Sequence, residues 1–157
     1  MRDLNYWERL SECQMLSQQR RLERYKIMYT WKILEGRVPN CGIETSDNLR
    51  LGRLCKIPVL TKGSTKVKNL RENSFQVQGP TLFNILPPKI RNMTKCSIDK
   101  FKFALDSFLT KIPDEPSVSG VGYTPSACNQ ITGKPSNTLV DQLKTMKRRG
   151  NLQGGYL

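Results

Sequence analysis

SFQVQGPTLFNILPPKIRNMTKCSIDKFKFALDSF, residues 74–108, changes its periodicity twice, and how those changes are read sets the fold. From Ser74 to Gln78 the apolar Phe75 and Val77 alternate with polar neighbours, the period of a half-buried strand. Gly79 and Pro80 then switch the period. Pro80 suits the first turn of a short helix over residues 81–86 that sends Leu82, Phe83 and Leu86 inward. Leu86 and Pro87 each precede a proline, a position biased away from helix, so this piece stops there. KIRNM, residues 89–93, makes one further turn with Ile90 inward. Ser97 is placed to cap the last helix and Asp99 sits in its first turn, where a negative charge suits the helix dipole. Ile98, Phe101, Leu105, Phe108, Leu109 and Ile112 form its buried stripe, and Pro113 ends it. Asn84 precedes the double proline by three residues. Its amide suits a hydrogen bond to backbone in the turn, setting the angle between the two helical pieces, with a nucleic-acid contact as the other reading.

Working outward, residues 3–35 read as mostly helical with a break near residues 11–17. The second part places Leu22, Tyr25, Met28 or Tyr29, and Ile33 at helical spacing, with Gly36 as its stop. Ile27, Trp31 and Leu34 widen the apolar stripe, while Arg20, Arg21, Arg24 and Lys26 are expected on the wet side. VPNCGIETSDN, residues 38–48, is a turn-rich connection. A strand follows over LGRLCKIPVL, with Arg53, Cys55 and Ile57 on one face, Leu54 and Lys56 on the other, and Pro58 at its edge. Residues 61–73 form a basic link, so this strand and residues 74–78 pair as a hairpin with a long basic loop, leaning on the helices for stability. Beyond Pro113 the chain is rich in Gly, Ser and Pro and loses its periodicity. A short helix using Leu139, Leu143 and Met146 and ending in Lys147, Arg148 and Arg149 either folds back or needs a partner. The expected architecture is therefore α+β. A small, mainly helical domain over residues 1–112 carries one short antiparallel hairpin, and residues 113–157 form a poorly ordered, flexible tail with a short basic helix.

Charge narrows the partners. Twenty-six Lys and Arg face thirteen Asp and Glu, a net charge of +13, which favours a polyanion as neighbour. Residues 37–95 hold eleven Lys and Arg against Glu44, Asp47 and Glu72. Arg50, Arg53 and Lys56 on the strand, and Lys62, Lys66, Lys68 and Arg71 on the loop, are the candidate contacts to an RNA or DNA backbone. Lys147, Arg148 and Arg149 at the end of the tail helix join them. A merely solubilising basic face is the alternative. Tyr25, Tyr29 and Trp31 have the chemistry of base-stacking platforms but lie on the core-facing helix and read as packing. Tyr6 and Trp7 either cap the core or dock on an upstream domain.

Catalysis finds little support. The chain has no histidine, hence no ordinary neutral-pH base. No two carboxylates fall on adjoining strand ends, as metal-assisted phosphoryl chemistry needs. The GVG at residues 120–122 lacks the spacing of a phosphate-cradling loop. The five cysteines include no CxxC pair and read as reduced thiols of an intracellular protein, nuclear or cytoplasmic, with neither a metal nor a cofactor expected. No apolar run approaches a membrane span and the N-terminus lacks the apolar block of a signal peptide, so no membrane partner is expected.

Three ordered motifs add a resemblance. Glu23, Arg24, Tyr25, Tyr29, Lys32, Ile33 and Gly36 match the first. Phe83, Asn84, Leu86 and Pro87 match a second, with Phe83 where tryptophan is usual, and Phe101, Lys102, Leu105, Asp106 and Phe108 a third. Over about residues 5–117 the chain thus resembles the region beyond the polymerase core of non-LTR retrotransposon reverse transcriptases of the jockey and chicken-repeat type. In that family polymerisation depends on a Y-x-D-D aspartate motif, which this sequence lacks, together with any palm, fingers or endonuclease. The resemblance implies a non-catalytic accessory piece, structural or in contact with nucleic acid, with an upstream polymerase domain as a further expected partner. A protein-interaction module without nucleic acid is the alternative.

Overall fold

The structure, a computed structural model, describes residues 3–46, 52–59, 63–114 and 139–148. These comprise helices α1 (Tyr6–Glu12), α2 (Gln18–Leu34), α3 (Thr65–Glu72), α4 (Phe75–Asn84), α5 (Pro88–Arg91), α6 (Ile98–Leu109) and α7 (Leu139–Arg148), and strands β1 (Thr45–Ser46) and β2 (Leu54–Cys55). The fold is α+β, mainly helical, with one short antiparallel hairpin.

The hairpin uses a different partner from the one the alternation suggests. β2 pairs with β1, Thr45 opposite Cys55 and Ser46 opposite Leu54, whereas residues 75–78 form the first turn of α4. Two alternating apolar residues are a weak strand signal. In a helix the same Phe75 falls in line with Gly79, Leu82 and Phe83, a longer and more apolar face. Gly79 is the reason α4 can cross α2 closely: a Cβ there would lie 2.6 Å from Thr30 Oγ1. Thr30 is itself buried, its hydroxyl donating to the Lys26 carbonyl at 2.9 Å. Pro80 therefore stands inside the helix rather than in its first turn. It supplies no donor to the carbonyl of Gln76, an exposed residue within reach of water.

α2 is the central beam, rotated from the orientation its spacing suggests. Ile27, Trp31 and Ile33 are buried, but Leu22, Tyr25 and Tyr29 are 48%, 63% and 45% exposed and Arg20 is fully buried. The helix carries two apolar stripes and the core accepts one. Trp31 decides which: its ring stacks on Phe101 at 4.5 Å and its Nε1 donates to the Met93 carbonyl at 2.9 Å. Turning that ring inward brings Arg20 with it, and local acceptors make the burial tolerable. Arg20 Nη2 donates to the Pro113 carbonyl at 3.1 Å, and its Nε lies 3.6 Å from Asp114 and 3.8 Å from Glu23.

α6 runs antiparallel to α2, and the contacts along the pair follow in order. Ser17, the α2 N-cap, donates its hydroxyl to Asp114 at 2.7 Å, and Arg24 holds Asp106 through two hydrogen bonds of 2.5 and 2.8 Å. Arg37 donates to the Cys96 carbonyl at 2.8 Å. Ser97 caps α6 by accepting from the Lys100 amide, and Phe101, Leu105, Phe108, Leu109 and Ile112 are buried as their spacing requires. Leu82, Phe83 and Leu86 close the core from α4 and its C-terminal turn. α7 joins the same core: Leu139 is fully buried, and its amide donates to both Glu23 oxygens at 2.9 and 3.0 Å.

Candidate nucleic-acid interface

Charged residues that looked alike in sequence separate once they are placed. Residues 65–72, read as loop, are the helix α3, because TKVKNLRE is free of Gly and Pro and contains good helix formers. Every residue of α3 is exposed, so Lys66, Lys68 and Arg71 project into solvent over a rise of about 7.5 Å. Val67 and Leu70 are exposed beside them. The helix leans on α4 and buries nothing of its own.

Arg53 is used differently. Its Nη1 donates to Glu35 Oε1 at 2.6 Å and its Nη2 to the Leu34 carbonyl at 2.7 Å, so the guanidinium ties β2 to the C-terminus of α2. Glu35 also accepts from the Lys95 amide at 2.7 Å. Burial alone would raise the Glu35 carboxyl, but these hydrogen bonds and the nearby Arg53 and Arg37 charges outweigh it and hold the group below the ordinary carboxylate range. Lys56 lies 3.2 Å from Glu44, with both side chains open to solvent, a pairing worth little to stability. Arg50, Lys62 and Arg149 lie outside the described residues. Lys147 and Arg148 close α7, with their side chains likewise outside the description.

Asn84 reaches further than the turn in which it was expected to act. Its Oδ1 accepts from the Cys55 amide and its Nδ2 donates to the Cys55 carbonyl, both at 2.8 Å, so one side chain satisfies a strand residue across to α4. Buried Arg91 holds the same corner, donating to the Asn84 carbonyl at 2.8 Å. Cys55 is enclosed there, and burial pushes its thiol up to about 11 against the opposing charges of Arg53 and Arg91. A thiol so rarely ionised at neutral pH makes a poor nucleophile. Among the described residues no three acidic or thiol side chains converge as a metal would require.

A second surface reads in sequence as packing because its residues have core spacing: of Tyr25, Tyr29 and Trp31 only Trp31 is buried. Leu22, Tyr25 and Tyr29 form an exposed ridge along α2, and beside it Met15, Leu16, Arg21, Arg24 and Tyr25 line a hollow of about 200 Å³. Only the competition between two apolar stripes on one helix could have flagged it. A scan against models of known protein families found no match for this chain, and neither did searches of curated proteins and of solved structures.

Proposed function

We propose that this chain is a non-catalytic, basic accessory piece of a retrotransposon-encoded reverse transcriptase that contacts the RNA or DNA backbone. The observation that carries the reading is α3, a helix with no buried residue that presents Lys66, Lys68 and Arg71 while contributing nothing to the core. A helix that the fold does not need for burial, yet that is loaded with cations, suits a phosphate-contacting element. The net charge of +13 supports the same partner. The three-motif resemblance supports the link to a reverse transcriptase, with an upstream polymerase domain as a neighbour, and the cysteine pattern supports a nuclear or cytoplasmic setting. No helix among the described residues is long and apolar enough to cross a membrane.

The test is equilibrium binding of the purified chain to single-stranded and duplex RNA and DNA at about 0.15 M salt, where sequence-independent contacts still register. Heparin serves as the polyanion control. Binding that persists under heparin competition and differs among the four nucleic acids is the expected result. Binding matched by heparin would reduce the charge to a generic property and favour the protein-interaction alternative.

A further inference from the structure

The outer face of α2 has a composition that the core does not explain. Leu22, Tyr25 and Tyr29, at spacing i, i+3 and i+7, lie on one side of the helix and are 48%, 63% and 45% exposed. On this exposed side stand Arg21, Lys26 and Lys32, while the acids of the same helix are withdrawn. Glu23 is buried against Leu139, and Glu35 is held by Arg53. Asp106, across on α6, is taken by Arg24. Glu72, the last residue of α3, stays exposed and lines a pocket together with Lys26. An aromatic ridge flanked by cations and largely cleared of acids is complementary to a ligand with flat aromatic groups on an anionic backbone.

Three further observations sharpen the match. The hollow of about 200 Å³ beside Tyr25 is walled by Arg21 and Arg24, with the Arg24 guanidinium carbon 6.0 Å from the Tyr25 ring centre. Arg24 is already bound to Asp106, so the guanidinium that would meet a phosphate in this concavity is that of Arg21, with the Tyr25 ring beside it for the base. Tyr25 and Tyr29 are one helical turn apart, a rise of about 6 Å, whereas bases stacked in a duplex are about 3.4 Å apart. Successive bases seated on the two rings are therefore splayed, as they are in an extended single strand. Finally, Tyr29 meets Phe75 edge-on at 5.3 Å, three residues beyond the end of α3, and Lys26 is hydrogen-bonded to Gln78 on α4. The ridge thus abuts the start of the helix that follows α3.

We infer that the Leu22–Tyr25–Tyr29 ridge of α2 is a base-stacking platform for unpaired nucleotides, with Arg21 meeting the backbone phosphate in the adjoining hollow. The inference rests on the proposed nucleic-acid contact and deepens it: α3 supplies sequence-independent phosphate attraction, and the ridge supplies preference for a single strand over a duplex.

Tyr25→Ala/Tyr29→Ala and Tyr25→Phe/Tyr29→Phe full-length chains, titrated with a single-stranded oligonucleotide and its duplex, decide the matter. The alanine pair is expected to lose single-strand affinity by on the order of tenfold or more per ring while duplex affinity stays within about twofold. The phenylalanine pair is expected to bind as the parent does, since it keeps both rings. Because no charge changes, the salt dependence of each variant should match that of the parent. If Tyr29→Ala unfolds the chain through its contact with Phe75, Tyr25→Ala alone carries the test, with cross-linking of a halogenated-uridine oligomer expected at the peptide containing Tyr25. An intact chain that binds nucleic acid while the alanine variants lose nothing overturns the platform and leaves the proposed function standing. A chain that binds no nucleic acid beyond heparin overturns both. Concentration-dependent self-association abolished by Tyr25→Ala, with nucleic-acid affinity unchanged, assigns the ridge to a second copy and overturns the platform.

Discussion

α3 and α4 are neighbouring helices separated by Asn73 and Ser74, yet their side chains have opposite fates. α4 crosses α2 at Gly79, buries Leu82 and Phe83, and ends on Asn84, which ties down β2. α3 exposes all eight of its residues and carries three cations. The difference teaches that burial and charge have been allotted to separate elements. One helix is architecture, and the other is surface that the fold positions without depending on it. Changes in α4 and its partners should therefore unfold the protein, while changes in α3 should alter what it binds.

The largest effect expected is at the packed end of that comparison. Trp31→Ala removes the ring that stacks on Phe101 and the donor to Met93, and should cost about 3–5 kcal/mol in denaturant unfolding. A loss below about 1 kcal/mol would mean that the core does not centre on this ring. Gly79→Ala comes next, because its methyl would sit 2.6 Å from Thr30 Oγ1 between two helices with little room to part. A destabilisation of roughly 1–3 kcal/mol is expected, and the companion Thr30→Ala should restore part of it if the crossing is as close as described. Asn84→Ala leaves the amide and carbonyl of Cys55 without their partner, which should cost about 1–3 kcal/mol by the same assay.

A subtler contrast lies along α2, between Glu23 and the C-capping Glu35. Burial raises Glu23 above the ordinary value of 4.5, even though the Leu139 amide and Arg20 pull it down. Its contribution to stability is therefore present below pH 4.5 and lost as pH rises through the raised value. Glu35 is lowered, so its contribution is present above that same ordinary value and lost as pH falls through its own. Stability followed from pH 3 to pH 8 in Glu23→Gln should lose the decline on the alkaline side of about 4.5, and Glu35→Gln should flatten the acid side. Identical profiles for the two variants would contradict these opposite environments. Smallest in stability is the α3 surface itself: Lys66→Ala/Lys68→Ala/Arg71→Ala should leave unfolding within about 0.5 kcal/mol of the parent.

The legible part of the fold was what strong local signals carry. Ser97, Asp99 and the stripe from Phe101 to Ile112 announced α6, because a capped helix with one apolar face leaves little choice. Ser17, Gly36 and the double proline likewise marked real boundaries. The residues misread were those with two physically acceptable settings. Phe75 and Val77 fit a strand or a helix until Gly79 meets Thr30 some 49 positions away in the chain, a contact no local pattern contains. On α2, the stripe of Leu22, Tyr25 and Tyr29 and the stripe of Ile27 and Trp31 were both apolar, and only the tertiary stacking on Phe101 chose between them. The cations show the same limit. Lys66 and Arg53 carry one charge each, and the distinction between a projecting side chain and one locked to Glu35 appears only when α2 and β2 come together.

The central claim, that α3 is the nucleic-acid-contacting element and not part of the architecture, is tested most directly by the salt dependence of single-strand binding. The parent chain and the Lys66→Ala/Lys68→Ala/Arg71→Ala variant would be compared across a salt series. If the three cations meet phosphates, the slope of log affinity against log salt should become shallower by about 2 in the variant, at an unchanged unfolding midpoint. Equal slopes and equal affinities for the two folded proteins would contradict the claim and place any nucleic-acid contact elsewhere on the chain.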